Sequence, residues 1–266
     1  MYRSSEPKEK YVQRFLSVDP LSEVSRRWSP YGYGADNPIR YIDVDGMFFD
    51  DYQLSKDGSV QLLQKTDDAT DKLYASKENG DIDKENSIEV EKGILDKKKT
   101  GEVTIGKNED GTQKTESFDA YEVKGNPSGA KQLFEFMADN SNVEFGLTQL
   151  DNNRSFVTTS HEWGREAGST AILMRAPLLG FSISNITEED HSHPGGIHYP
   201  SGAPFKGNKD ATNDVGIAQN HQQINPNIRF NIYTPSDKTY TPYSGNTTRD
   251  PLPEIIIPIR KKPKIN

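Results

Sequence analysis

Residues 190–196, Asp190-His191-Ser192-His193-Pro194-Gly195-Gly196, carry the strongest indication of fold and chemistry in this sequence. They come soon after the apolar strand pattern of residues 180–184. Two histidines at i and i+2 at a strand end project to the same side, so their imidazoles can chelate one metal ion. The proline and the two glycines then turn the chain and leave an open mouth over the ion. The alternative interpretation is a surface histidine pair in a glycine-rich loop.

The pattern around this stretch predicts an α/β domain over residues 121–245. A helix is expected to begin after Ser128 as its N-cap, because apolar residues follow at positions 130, 133, 134 and 137. Strands are expected at residues 143–150, 155–159, 171–174, 181–186 and 228–233, and a second helix at residues 214–223. This order of elements predicts a mixed sheet with helices packed on it.

Three further segments differ from this domain in composition. Residues 1–48 are rich in aromatic residues, Pro and Gly, whereas residues 246–266 form a Pro-rich tail with a basic end. Residues 49–120 are dominated by Lys, Asp, Glu, Asn and Gly. Turn pairs such as Asp57-Gly58 and Asn79-Gly80 separate weak strand patterns there, which predicts a polar, β-rich connector.

The overall composition limits the kinds of site. The chain of 266 residues has no cysteine, so metal ligands must be His, Asp, Glu or water. A formal charge of −8 argues against nucleic acid as the main partner, because phosphate binding requires a concentrated positive surface. No apolar run approaches the ~18 residues that a membrane span requires.

Three motif runs follow one another in the first fifth of the chain. They are Arg14-Phe15-Leu16-Ser17-Val18-Asp19-Pro20-Leu21, Trp28-Ser29-Pro30-Tyr31-Gly32-Tyr33 and Asn37-Pro38-Ile39-Arg40-Tyr41-Ile42-Asp43-Val44-Asp45-Gly46-Met47. Their order closely resembles the end of the Rhs-repeat-associated core of bacterial polymorphic toxins. In that family the segment closes a large β-cocoon around a C-terminal toxin, so the resemblance implies that a toxin follows. The family usually has Asp-Pro-x-Gly where this chain has Asp43-Val44-Asp45-Gly46, and this departure leaves self-cleavage after the segment an open question.

The histidine pair belongs to a longer signature. Seven residues separate His193 from Ser201. His-x-His, seven residues and then Ser is similar to the signature of the JAB/MPN/JAMM metalloproteases. In that family the two histidines and an Asp bind zinc, a Glu on an earlier strand deprotonates the metal-bound water, and the Ser stabilises the oxyanion. The resemblance implies zinc binding by His191 and His193 and an oxyanion role for Ser201.

Glu144 is the candidate for the catalytic Glu of that signature. It follows the predicted amphipathic helix and opens an apolar strand, which is where the family keeps this residue. Glu162 follows His161, but a His-Glu-x-x-His zinc motif would require a histidine at the position of Arg165.

The third metal ligand departs from the family pattern. Pro204 stands three residues beyond Ser201, where the family has Asp. The ligand must therefore come from farther along the chain. Asp214, at the start of the second predicted helix, is the candidate, and Asp210 is the alternative. Residues 204–213 would form a loop over the site.

These resemblances predict a toxin that acts as a zinc-dependent peptidase or isopeptidase. The expected partners are a protein substrate, a cognate immunity protein and the Rhs shell of the parent chain. The expected location is the cytoplasm of a target cell after delivery. Two alternatives stay open: a metal-dependent nuclease toxin built on His191, His193 and His221, and a catalytically inactive JAB-like binding module. His198 and His221 are otherwise expected to take no part in metal binding.

Overall fold

The computed structural model describes residues 50–65, 70–203 and 213–248. The Rhs-like motif runs, the alternative ligand Asp210, most of the loop expected at residues 204–213 and most of the Pro-rich tail lie outside these residues. The strands are β1 Asp50–Leu54, β2 Val60–Gln64, β3 Thr70–Ser76, β4 Ile82–Glu91, β5 Lys99–Lys107, β6 Gln113–Lys124, β7 Phe145–Leu150, β8 Arg154–Thr159, β9 Ile186–Ser192, β10 Arg229–Thr234 and β11 Thr239–Tyr243. The α-helices are α1 Pro127–Asp139, α2 Gly168–Met174, α3 Ala176–Leu179 and α4 Asp214–Ile224.

Seven strands form the larger sheet, in the order β11-β10-β9-β7-β8-β6-β5. Neighbouring strands in this sheet are antiparallel, except that β9 and β10 run parallel. A parallel pair needs a crossover connection, and α4 lies in the crossover between β9 and β10. The expected fold class, a mixed sheet with helices packed on it, is therefore confirmed.

The strands β1–β4 form a second sheet in the order β2-β1-β3-β4, in which β1 and β3 are parallel. This sheet shares a hydrophobic cluster with α1 and the larger sheet. The backbone N–H of Asn142 also donates to the carbonyl of Lys56 over 2.8 Å, which ties the β1–β2 turn to the entry of β7. The strands β5 and β6 of the expected connector belong to the larger sheet instead, and position 121 lies inside β6.

The two faces of the larger sheet carry different layers. Along each strand, alternate side chains point to opposite faces. One face packs against α1, with the fully buried core residues Leu133, Phe134, Met137, Leu147 and Val157. The other face packs against α2 and α4, with the buried residues Phe156, Ile172, Ala218 and Phe230. Glu189, His191 and His193 alternate onto this second face.

The helix α1 has the predicted apolar stripe but a different start. Ala130, Leu133, Phe134 and Met137 are buried, as their spacing predicts. The predicted N-cap Ser128 is wrong, because Asn126 takes that position and its Oδ1 accepts from the backbone N–H of Gly129. Pro127 then stands in the first turn, where a missing N–H costs nothing.

Two of the predicted strands are wrong. Residues 171–174 belong to α2, because both carboxylate oxygens of Glu166 accept from the backbone N–H groups of Gly168 and Ser169 and so satisfy the helix start. Residues 181–186 contain a 3-10 turn at Ile183–Asn185, in which Asn185 Oδ1 accepts from the N–H of Ser182. The strand begins at Ile186 and itself contains His191.

The other predicted elements are confirmed with small shifts in their bounds: β7, β8, α4 and β10. Sequence reasoning missed β11, which pairs antiparallel with β10 and forms one edge of the larger sheet. None of the helices in the described part of the chain combines the length and the apolar character that crossing a bilayer requires.

Candidate metal centre

The two histidines of the motif converge at the C-terminal end of β9. His191 Nε2 and His193 Nε2 lie 3.0 Å apart, with ring centroids separated by 4.8 Å. The residue between them faces the other side, where Ser192 Oγ accepts from the backbone N–H of Phe145 over 2.9 Å. This bond fixes the strand end to β7, so the two imidazoles keep a common orientation.

Asp214 reaches the same point from the first turn of α4. Its Oδ2 lies 3.3 Å from His191 Nε2 and 3.8 Å from His193 Nε2. Asn213 caps the helix through its side chain, which accepts from Gly216 N. Asp214 is therefore placed by the helix start and by its neighbour Ser201, rather than serving as the cap.

Ser201 holds Asp214 through a reciprocal pair of hydrogen bonds. The backbone N–H of Ser201 donates to Asp214 Oδ2 over 2.6 Å, and the backbone N–H of Asp214 donates to Ser201 Oγ over 3.1 Å. The chain on either side of residues 204–212 thus meets at the site. Ser201 orients one carboxylate oxygen of Asp214 towards the histidines. Ser201 lines the same pocket as Asp214 and the two histidines.

His191, His193 and Asp214 form the cluster of the described residues that could hold a metal ion, with one ligand atom each within 4.8 Å of the others. Two neutral imidazoles and one carboxylate are a zinc donor set that leaves a fourth position open. The outer ring nitrogens are turned away: His193 Nδ1 contacts the carbonyl of Ile197 at 2.8 Å, and His191 Nδ1 contacts Tyr243 Oη at 3.5 Å. The residues present therefore fit a metal ion.

Glu144 lies just before β7 on the same face. Its backbone is fixed at both ends: its N–H donates to the Glu162 carbonyl over 2.9 Å, and its carbonyl accepts from Thr159 Oγ1 over 2.9 Å. Burial raises the pKa of the Glu144 carboxyl to about 8; His191 acts in the opposite direction and Asp214 adds to the rise. A carboxyl of this kind exchanges a proton near neutral pH.

The electrostatics of the cluster favour one positive charge beside Asp214. Burial opposes the charged form of His191, but Asp214 and Glu144 outweigh it and raise the pKa of this imidazole to about 9. Burial and the neighbouring His191 lower the pKa of His193 to about 4. Burial alone would raise the pKa of Asp214, but the two histidines and Ser201 hold it well below its usual range. The three side chains together thus attract a cation.

Glycine is required on the strand next to His191. In the sheet register Gly146 of β7 pairs with His191. A Cβ at Gly146 would lie 2.5 Å from Ser169 Oγ, 2.7 Å from Glu166 Oε2 and 2.8 Å from Thr158 Oγ1. The missing side chain therefore lets the carboxylate of the half-buried Glu166 approach the centre of the sheet beneath the site.

A cavity of about 1120 Å³ opens over the cluster. Its polar depth contains Glu144, His191, His193 and Asp214, and its rim contains the exposed apolar side chains Trp163, Met174, Ile197 and Tyr199. The Trp163 ring packs on Gly195 of the turn after His193, because a Cβ there would lie 2.8 Å from Trp163 Cζ2. The cavity is large enough for a peptide segment to reach the cluster.

The structure adds residues that sequence reasoning missed. His221, expected to be a bystander, lines the cavity, and its Nδ1 contacts Glu189 Oε2 at 2.6 Å. Glu189 stands two residues before His191, so period-two alternation signalled its face. Tyr243 and Glu166 had no such local signal. His198 pairs with Asp237, its Nε2 lying 3.1 Å from that carboxylate, and His161 contacts Asp119 at 3.6 Å, away from the cluster.

The fold and the cluster define a mixed α/β domain with a His-His-Asp site compatible with a metal ion. Residues 121–219 match the family model described as JAB-like toxin 1. This match supports a JAB-like toxin domain in that part of the chain, and it spans Glu144, the histidine pair, Ser201 and Asp214. No curated protein and no solved structure gives a significant match to the chain.

Proposed function

We propose that the JAB-like domain is a zinc-dependent peptidase or isopeptidase that acts as a toxin. The observation that carries this proposal is the convergence of His191 Nε2, His193 Nε2 and Asp214 Oδ2 in one cavity that also contains the buried carboxyl of Glu144. A toxin family match over residues 121–219 supports the biological role.

In this proposal His191, His193 and Asp214 would hold the zinc. Bound there, zinc would supply Lewis-acid activation of water and of the substrate carbonyl. The chain contributes the geometry: β9 aligns the two imidazoles, and Ser201 holds the carboxylate of Asp214 towards them. Because the Nδ1 atoms of both histidines are engaged in contacts of their own, both Nε2 atoms stay directed into the cavity.

Glu144 would move the proton of the reaction. Its carboxylate takes a proton from the attacking water as the new C–O bond forms, and later gives it to the amide nitrogen as the C–N bond breaks. Burial in the cavity and the fixed backbone suit a group that first accepts and then donates a proton. The hydroxyl of Ser201 still has its own proton, which it can donate to the developing oxyanion.

The biological setting proposed for this activity is that of a delivered effector. The Rhs-like motif runs of residues 14–47 would belong to the end of a shell that encloses the toxin before delivery. The toxin would then cleave a protein of the target cell in its cytoplasm, and the producing cell would protect itself with a cognate immunity protein. The apolar rim around Trp163 suits a polypeptide substrate better than a phosphate backbone.

The experiment uses the full chain expressed in bacterial cells from an inducible promoter. Wild type is expected to bind zinc and to stop growth, whereas Glu144→Gln is expected to bind zinc equally and to be harmless. The matched control is Glu162→Gln, because Glu162 is also a carboxylate but is exposed. Full toxicity of Glu144→Gln, or of the metal-free wild type, would disprove the peptidase proposal. Nicking of plasmid DNA without protein cleavage would favour the nuclease instead.

A further inference from the structure

His191 has two ring nitrogens, and the candidate metal centre uses one of them. Nε2 lies 3.3 Å from Asp214 Oδ2 and 3.0 Å from His193 Nε2. An imidazole that binds a metal through Nε2 is neutral and carries its proton on Nδ1. The Nδ1–H group of His191 therefore needs an acceptor, and the position of that acceptor determines the orientation of the ring.

Tyr243 provides the contact to that nitrogen. Its Oη lies 3.5 Å from His191 Nδ1, and the two rings meet edge to face, with centroids 5.8 Å apart and an interplanar angle of 86°. The strand β11 brings it there, since Tyr243 pairs with Phe230 in the register of the β10–β11 hairpin. The Phe230 ring lies 5.5 Å from the Tyr243 ring, so the tyrosine is packed between Phe230 and His191.

The two histidines are supported in different ways. His193 Nδ1 contacts the carbonyl of Ile197, four residues farther along the same turn. His191 depends on a side chain 52 residues away in sequence. Tyr243 also lies beyond residues 121–219, so the family match does not include it. The described strands of the hairpin thus add a part of the site that the matched domain alone lacks.

We infer that Tyr243 is a positioning residue for the metal site: its Oη accepts the Nδ1–H of His191 and fixes the tautomer and the ring plane that present Nε2 to the ion. This inference rests on the proposed zinc site. Tyr243 need not touch the substrate. Its hydroxyl acts only through His191, as outer hydrogen-bond partners of metal-binding histidines do in general.

The test is Tyr243→Phe in the full chain, which removes Oη and keeps the ring against Phe230. The zinc dissociation constant, measured by competition with a chromophoric chelator, is expected to rise roughly 10-fold, within the range known for the loss of such partners. The matched control is Tyr240→Phe on the same strand, whose Oη donates to Glu135 on the opposite face over 2.8 Å. The control is expected to keep its zinc affinity within about twofold of wild type.

A second measurement on the wild type does not depend on how the variant folds. In the zinc-loaded chain, nuclear magnetic resonance is expected to show a slowly exchanging Nδ1 proton on His191 with a nuclear Overhauser effect to the Tyr243 ring. Tyr240→Phe is expected to retain this signal and Tyr243→Phe to lose it. Absence of this proton signal from the zinc-loaded wild type would overturn the inference.

The outcomes separate this inference from the proposed function. If wild type binds no zinc, the proposed function fails and the positioning role fails with it. If wild type and Tyr243→Phe bind zinc equally well, the positioning role of Tyr243 is wrong, whereas the peptidase proposal stands. A loss of zinc affinity in both tyrosine variants would also overturn the positioning role of Tyr243, because the effect would then come from the hairpin as a whole.

Discussion

Gly146 of β7 stands directly beside His191 of β9 in the sheet, and its missing side chain leaves room for the carboxylate of Glu166. The cluster of Glu166, Ser169 and Thr158 fills that room from the α2 side. The strand register and the floor of the candidate site therefore depend on the same position.

Gly146→Ala is expected to destabilise the protein by about 1–3 kcal/mol, because the added methyl group overlaps three oxygen atoms in a closely packed region. Urea unfolding measures this change. The matched control is Gly164→Ala, where a Cβ has no neighbour within 4 Å, and its effect should stay within about 0.5 kcal/mol. Equal stability of the two variants would show that the crowding around Gly146 relaxes freely.

Asp214→Asn is expected to weaken zinc binding by more than the roughly 10–100-fold that the loss of an outer-shell partner costs. The amide can still accept from Ser201, but it lacks the negative charge that faces His191 and His193. Chelator competition measures the affinity. Asp237→Asn, which alters an exposed pair with His198, serves as the control and should bind zinc as wild type does. Unchanged affinity in Asp214→Asn would remove this residue from the ligand set.

The pair of His161 and Asp119 predicts a pH dependence of stability. The nearby Asp119 carboxylate raises the pKa of His161 above 6.5. Burial of Asp119 is outweighed by His161 and Lys98, which lower the pKa of Asp119 below 3.8. A raised histidine pKa stabilises the fold below the unfolded value, and this stability is lost as pH rises through the folded value. The lowered Asp119 pKa adds stability above 3.8, which is lost as pH falls.

The contribution of this pair should therefore be largest between about pH 4 and pH 6.5. His161→Gln is expected to remove on the order of 1 kcal/mol or less in that window and progressively less at alkaline pH. Urea unfolding at pH 5.5 and pH 9 measures the difference. Glu162→Gln, one residue away and exposed, is the control. A loss that is equal at both pH values would mean that His161 contributes only by packing.

The domain boundary gives a fourth prediction. A fragment that starts at residue 121 would divide β6, which begins at Gln113, and would remove β5 from the larger sheet. It would also expose the Val143 side that contacts the Gly58 turn. We expect such a fragment to be proteolysed faster than one that starts at residue 50. Limited proteolysis and thermal unfolding compare them, and equal resistance would show that the domain folds without β5 and the smaller sheet.

Local pattern was sufficient to predict part of the site. His191 and His193 follow from alternation along one strand. Asp214 was the preferred of two candidates, with Asp210, for the Asp of the signature that the histidine pair resembles. The stripe of α1 was equally clear, because four apolar residues at helical spacing leave one face to bury. These signals depend on residues within a few positions of one another.

The remainder depends on contacts between distant residues. Residues 171–174 are apolar enough for a strand, yet Glu166 satisfies the N–H groups of a helix start there. Tyr243 lies on an edge strand with a proline and two threonines, so its short pattern does not indicate which face or neighbour it meets. The position of Tyr243 follows from pairing with β10, which a single sequence does not reveal.

The crossover from β9 through α4 to β10 has a consequence for assembly. The histidines stand at the end of β9 and Asp214 opens α4 within that connection, so a chain in which α4 has not yet packed against the end of β9 offers an incomplete set of ligands. The metal ion would then bind after folding rather than direct it. Once bound, it would stabilise the packing of α4 against the end of β9. A chelator should accordingly hasten the reopening of this part of the sheet before it affects the hairpin of β5 and β6.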